Sequence, residues 1–203
     1  MTNGHYICSM KRKIFREDIL AAGRDIMFVN GYNATGIKEI TDKIEIPKGS
    51  FYNHFKSKED FGLEMIKNYT DRGIGFHKMN LLDTQTSALT ALKGMYDKMI
   101  ESFKMKNLYD KGCLMSNFSA ELSDVNENFR NLLDEQFNEI ENIIIQNLKR
   151  AQDENEISSE LDVESTGAFI LNSWHGALVR MKSTADIKPL EDFRTLIFNN
   201  ILK

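Results

Sequence analysis

The chain has 203 residues, 41% of them hydrophobic, with 26 Lys and Arg against 30 Asp and Glu for a net charge of −4. That much apolar side chain supports a real core and excludes wholesale disorder. No apolar run approaches the roughly 20 residues of a membrane span, and no apolar leader is evident near the start, so a cytoplasmic protein with no membrane partner is expected.

Residues 1–13 carry no hydrophobic period and end in the basic run Met10-Lys11-Arg12-Lys13, which reads as a flexible N-terminal arm. From Phe15 a helical pattern starts, with Ile19, Ala22, Gly23, Ile26 and Met27 on one face. It stops at Asn30-Gly31, a C-cap signal. Thr35 is the expected N-cap of a short helix carrying Ile37, Ile40 and Ile44 inward. A tight connection through Glu45-Ile46 leads to Pro47, expected at the first position of a third helix. The segment Ser57-Lys58-Glu59-Asp60 is a near capping box opening a fourth helix, from about Lys58 to His77.

Further amphipathic stretches run from about Ser87 to Lys104, Gly112 to Leu122, Val125 to Asp153, Val163 to Ser183 and Leu190 to Leu202. The charged linker Asp153-Glu154-Asn155-Glu156 is expected only to end the long helix before it. Only two prolines, Pro47 and Pro189, interrupt the chain. An all-α fold is therefore expected, with residues 14–58 as a three-helix head and 59–203 as a helical body.

Charge is spread unevenly. Residues 1–60 hold ten basic and eight acidic side chains, and residues 61–203 hold sixteen and twenty-two. A mildly basic head on an acidic body lets one end approach phosphate. Three short helices with a tight turn between the last two are the recipe for a helix-turn-helix, whose last helix enters the major groove. Phe51 and Phe55 can face the head's core with Ile40 and Ile46. That leaves Lys48, Ser50, Tyr52, Asn53 and His54 outward, with Gly49 letting backbone approach a duplex closely. A small bundle with a solvated polar face fits the same pattern.

The run Ile46-Pro47-Lys48-Gly49-Ser50-Phe51-Tyr52-Asn53-His54-Phe55-Lys56-Ser57-Lys58-Glu59 resembles the recognition-helix signature of the TetR/AcrR family of regulators. Ile19-Leu20-Ala21-Ala22, Gly31-Tyr32, Ala34-Thr35 and Ile37-Lys38-Glu39-Ile40 match in the right order. The resemblance implies that Lys48, Gly49, Ser50, Tyr52, Asn53 and His54 face double-stranded DNA at a palindromic operator, and that Lys38 and Lys58 hold phosphates. It departs at Glu45, where the family usually has Gly, and at Pro47, where Ser is usual. Glu45 brings negative charge towards the phosphates.

The same resemblance implies a homodimer paired through the last two long helices, and a body that encloses a small-molecule inducer. Ala168, Ile170, Leu171, Ala177 and Leu178, with Phe193, Leu196, Ile197 and Ile201, are the expected dimer surface; closing the monomer's own core is the alternative. Gly112-Cys113-Leu114-Met115-Ser116-Asn117-Phe118 with Ala120-Glu121, and Trp174-His175-Gly176-Ala177-Leu178 with Lys182, resemble a family branch that responds to electrophiles.

Cys113, at the expected start of a helix, is open to two roles. Amides and the helix dipole there stabilise a reactive thiolate, yet a free cysteine is commonly a small core residue. The resemblance implies that Lys182 lies near Cys113 and favours the thiolate. Trp174 and His175 point about 100° apart, so at most one is expected to face a pocket squarely. Cys8 and Cys113 make no disulfide framework, and the four histidines lack metal-ligand spacing, so neither metal nor cofactor is expected. No catalytic set or phosphate loop is present, and an enzyme is not expected. A ligand-released repressor is the leading expectation; a DNA-bound activator or structural factor without an inducer is the alternative.

Overall fold

A computed structural model describes residues 15–203, and the expected arm over 1–13, with Cys8, lies outside the described residues. Within them the chain is helical: α1 Arg16–Asn30, α2 Ile37–Lys43, α3 Lys48–Tyr52, α4 Lys58–Leu81, α5 Ala88–Lys106, α6 Leu114–Leu122, α7 Glu127–Asp153, α8 Val163–Thr184 and α9 Lys188–Leu196. The last helix continues as a π-helical turn over Ile197–Ile201.

The helix ends follow from local chemistry. Ser57 Oγ accepts the amide of Asp60 at 3.0 Å, while the Asp60 carboxylate accepts the Lys56 amide at 2.9 Å, so the box expected at α4 forms almost reciprocally. Asn126 and Asp162 cap α7 and α8 in the same way. At α2 the cap is Gly36, not Thr35. Thr35 is buried instead, its hydroxyl donating to the Gly31 carbonyl at 2.7 Å, so the side chain is spent on the preceding turn. Pro47 lies one place before α3, as its N-cap, and α3 ends at Tyr52.

The turn between α2 and α3 is a Schellman closure. The Ile46 amide donates to Thr41 O at 3.0 Å and the Glu45 amide to Asp42 O at 3.2 Å. It requires a left-handed residue, and Glu45 takes that conformation at φ 57°. The family's usual Gly at this place thus has a backbone reason as well as an electrostatic one.

The charged linker after α7 does more than end a helix. Glu154 and Glu156 accept the first amides of α5, from Ala88 and Leu89, each at 2.7 Å. They stand in for the side-chain cap that Ser87 does not provide. Burial pushes the Glu156 carboxyl up, but the Leu89 amide and neighbouring donors outweigh it and hold the group below its ordinary value.

In the head, Phe51, Phe55 and Phe61 meet at ring-centroid distances of 5.0–5.3 Å, beneath Ile19, Met27 and Ile40. Gly23 lets α1 approach this cluster, since a Cβ there would sit 2.3 Å from Phe61 Cζ. In the body, α7 packs against α4, α5, α6 and α8, and α8 against α9. Tyr96, Trp174 and Phe193 join α5, α8 and α9 through ring contacts of 5.0–5.3 Å.

The expected dimer surface is largely internal. Ile170, Leu171, Ala177, Leu178, Phe193 and Ile197 are buried within this one chain, and Ala168 and Ile201 are half-buried. The apolar side chains these helices leave outside are Phe169, Val179 and Leu196, each more than half exposed. α8 is apolar on two faces, and periodicity alone does not say which faces inward.

Candidate DNA-reading edge and ligand cavity

Helix α3 is held from behind and open in front. Phe51 and Phe55 anchor it to the core. Arg16 of α1 lies over the Phe55 ring at 4.3 Å, donates to the His54 carbonyl and pairs with Glu64 of α4. One guanidinium therefore ties three elements of the head together, a role no local sequence signal marks.

In front, Lys48, Gly49, Tyr52 and Asn53 are exposed, and Ser50 and His54 are half-buried. A Cβ at Gly49 would meet nothing, so backbone is bare there. Lys38 is exposed on α2 and paired with Asp42 one turn on. Lys58 sits differently: its ammonium lies 4.3 Å over the Tyr32 ring and 3.4 Å from the Asn33 carbonyl, where burial lowers its pKa. It is engaged at the seam between head and body.

The same seam is latched by Glu121 at the end of α6. Its carboxylate accepts the amides of Tyr32 at 2.8 Å and Asn33 at 2.6 Å. Gly31 is required beside it, both by its φ of 81° and because a Cβ would lie 2.9 Å from a Glu121 oxygen. Tyr32 is clasped beneath by Phe118 and Phe129 at 5.7 and 5.1 Å.

Behind the head lies a cavity of about 670 Å³. Its walls come from α4, α5, α6, α7 and α8, and α1 contributes Arg24 and Phe28, so the head itself forms part of the lining. Cys113 borders the cavity as the N-cap of α6, and its Sγ lies 3.9 Å from the Tyr69 hydroxyl. Burial pushes the thiol up, but His175 and the amides of Ser116 and Met115 outweigh it and bring Cys113 to about 7. Tyr69 moves the other way, raised by burial and by the thiolate beside it.

His175 Nδ1 lies 2.9 Å from Ser116 Oγ, and its ring meets Phe137 edge-on at 4.9 Å. Trp174 and His175 both border the cavity. A space this wide spans the 100° arc between neighbouring side chains, which the expectation of one facing residue overlooked. Lys182 is exposed and outside the lining; its Cδ would lie 3.4 Å from a Cβ at Gly112. The side chain that favours the thiolate is therefore His175, while Lys182 stays outside the lining. Tyr69, Arg24 and Phe28 enter the site without any sequence signal, because α1 and α4 meet it only through the fold. Among the described residues no cluster of three or more metal-ligating side chains forms, and no helix is long and apolar enough to cross a membrane.

Comparison with known proteins matches residues 19–65 to the model for bacterial regulatory proteins of the tetR family. Residues 88–197 match the tetracyclin repressor-like C-terminal domain. The chain is 30% identical to the HTH-type transcriptional repressor DhaR of a Mycobacterium strain, over 95% of each protein. It is 26% identical to the repressor NemR of Escherichia coli, over 87% of this chain and 88% of that one. The crystal structure of reduced NemR shares the fold, with a TM-score of 0.82 over 91% of this chain and 95% of that one. The regulatory protein TetR from Rhodobacter sphaeroides has a TM-score of 0.82 at 27% identity, over 90% and 95% of the two chains. A braced helix-turn-helix on a helical body, matched by family models over 19–65 and 88–197 and by a relative over 95% of the chain, is a DNA-binding regulator rather than an enzyme: the chain belongs to the TetR family of bacterial regulatory proteins.

Proposed function

We propose that this protein is a dimeric repressor that reads a palindromic operator through α3 and is released when a small molecule or electrophile enters the cavity. The observation that carries the reading is the cavity's position: α4 reaches from the head's core at Phe61 to the cavity at Tyr69, Gly73 and His77. Phe61 and these lining positions are 8 to 16 residues apart on one helix, about 12–24 Å along its axis, so a ligand against α4 displaces the head.

Lys48, Ser50, Tyr52, Asn53 and His54 meet base edges and phosphates, with Gly49 close to the backbone and Lys38 at a flanking phosphate. Lys58 reaches a phosphate only by leaving Tyr32, which makes it responsive to the seam. Two copies pair through the outer faces of α8 and α9 at Phe169, Val179 and Leu196, setting two α3 helices about one DNA turn apart.

Release follows two connected routes. Cys113 and Glu121 lie at opposite ends of α6, so a change at the thiol reaches the two amides that hold the α1–α2 turn. Arg24 and Phe28 place α1 directly against whatever fills the cavity. A thiolate populated near neutral pH beside an open space suits attack on an electrophile. The relative NemR is a repressor with a crystal structure of its reduced form, in keeping with a thiol-dependent output.

The test is operator binding before and after treatment. DNA flanking the gene is footprinted, and the complex is then exposed to N-ethylmaleimide. The expected result is a protected palindrome lost on treatment in the wild type and retained in Cys113→Ser. Full release of Cys113→Ser by the same reagent excludes thiol sensing, and absence of any footprint refutes operator binding.

A further inference from the structure

The charges around the cavity are of one sign. Arg24 from α1, Arg72 from α4 and Lys106 from α5 line it, and no Asp or Glu does. This is unexpected in a body with twenty-two acidic side chains to sixteen basic ones. Basic residues elsewhere in the body are commonly neutralised: Lys78 by Glu139, Lys149 by Glu164, Lys188 by Asp192 and Arg194 by Asp97. At the cavity, Arg72 and Lys106 are not. Both are exposed, and their side chains have no ion pair or hydrogen bond among the described residues. Arg24 reaches only Asp25, an exposed neighbour 3.4 Å away that also serves Lys43 and lies outside the lining.

The lining also has an apolar part, with Met99, Phe103, Leu171, Trp174 and Leu178. Such a space fits a ligand with one charged end. Cations facing a low-dielectric cavity with no carboxylate in its lining repel one another, and an anion relieves that repulsion while gaining charge-assisted hydrogen bonds. Planar guanidinium groups bind oxyanions in pairs of parallel bonds, which a neutral ligand cannot match.

We propose that the cavity takes an amphipathic anion, its charged end held by Arg24, Arg72 and Lys106 and its apolar part laid against Trp174 and Phe103. This rests on the cavity being the ligand site, and it adds what the ligand must be. Arg24 belongs to the DNA-reading head while Arg72 and Lys106 belong to the body. The anion therefore bridges the two, and its charge acts directly on the position of α1.

The experiment uses the only tryptophan of the chain, Trp174, as reporter. The full-length protein is titrated with octanoate, octyl phosphate and octanamide while Trp174 fluorescence is followed. At least one anion binds tenfold or more tighter than the amide, and the better of the two identifies the headgroup. Arg72→Gln and Lys106→Gln each weaken that anion about tenfold and leave octanamide affinity unmoved, a difference that mere misfolding does not produce. Equal affinity for amide and anions, or no binding of either anion, overturns the proposal.

An operator band shift with the same ligands separates this from the release reading. An anion that binds but leaves the operator complex intact upholds the ligand class and refutes release. A neutral electrophile that frees the operator while neither anion binds overturns the ligand class and upholds release.

Discussion

Replacing Glu45 by Gly stabilises the head and tightens its hold on DNA, through two causes that a second substitution separates. Glu45 sits left-handed at φ 57° in the turn between α2 and α3. That conformation costs a side-chain-bearing residue about 1–2 kcal/mol. Glycine removes the cost but returns about 0.4–1 kcal/mol through a freer unfolded chain. The net gain is roughly 0.5–1 kcal/mol, or about 1–4 °C in melting temperature for a chain of this size.

The electrostatic part is smaller and depends on salt. A carboxylate roughly 10 Å from a phosphate is repelled by about 0.4 kcal/mol in water. In 0.1 M salt one Debye length removes about two-thirds of that, whereas 0.01 M salt leaves most of it. Two copies in a dimer then give roughly 0.6 kcal/mol at low salt, a two- to threefold change in Kd. Glu45→Gln loses the charge and keeps the strain, and Glu45→Gly loses both. Calorimetry and fluorescence-anisotropy titrations at two salt concentrations therefore show the same low-salt tightening for both variants, with a higher melting temperature for Gly alone. A glutamine variant that melts as high as the glycine variant refutes the backbone argument.

Other substitutions probe the remaining joints. Gly23→Ala drives a methyl into Phe61 and costs about 1–3 kcal/mol, visible as a lowered denaturation midpoint; an unchanged midpoint contradicts the close approach of α1. Glu121→Ala frees the amides of Tyr32 and Asn33, which then exchange hydrogen faster, and lowers stability by about 1.5–3 kcal/mol. Protection left unaltered at those two amides rules out the latch. In a Cys8→Ser background, the rate of Cys113 alkylation rises with pH to half its maximum near pH 7, against about 8.5 for an ordinary cysteine. Because the folded thiol is depressed, the stability it contributes is full above the unfolded value and fades as pH falls through about 7. An alkylation midpoint above pH 8 contradicts the His175 partnership.

Much of the fold was legible because its signals are local. The Ser57 to Asp60 box, the Asn30-Gly31 stop and the paired Phe51 and Phe55 each follow from chemistry within a few residues. Thr35 misled because a hydroxyl has two local uses, and tertiary burial chose the Gly31 carbonyl over the helix end. Most residues expected on the subunit face, Leu196 excepted, pack inside this chain, because α8 is apolar on two sides and its phase relative to the core is set by α7 and α9 rather than by its own pattern. In the cavity, Cys113, Trp174 and His175 could be named in advance from resemblance. Arg24, Arg72 and Lys106 could not, since each looks like a solvated side chain until three helices bring them to one opening. Glu45 was legible as a misplaced charge, while its backbone strain appears only once the turn's φ is known.

The most direct measurement is the salt dependence of binding to the duplex upstream of the gene, compared between the wild type and Lys48→Ala. If α3 lies in the major groove twice over, the wild type binds as two chains per site with log K falling linearly in log salt. Removing Lys48 then makes the slope shallower by about 2, one phosphate per subunit. A slope that Lys48→Ala leaves untouched, or one chain per site, contradicts the placement of α3 on DNA.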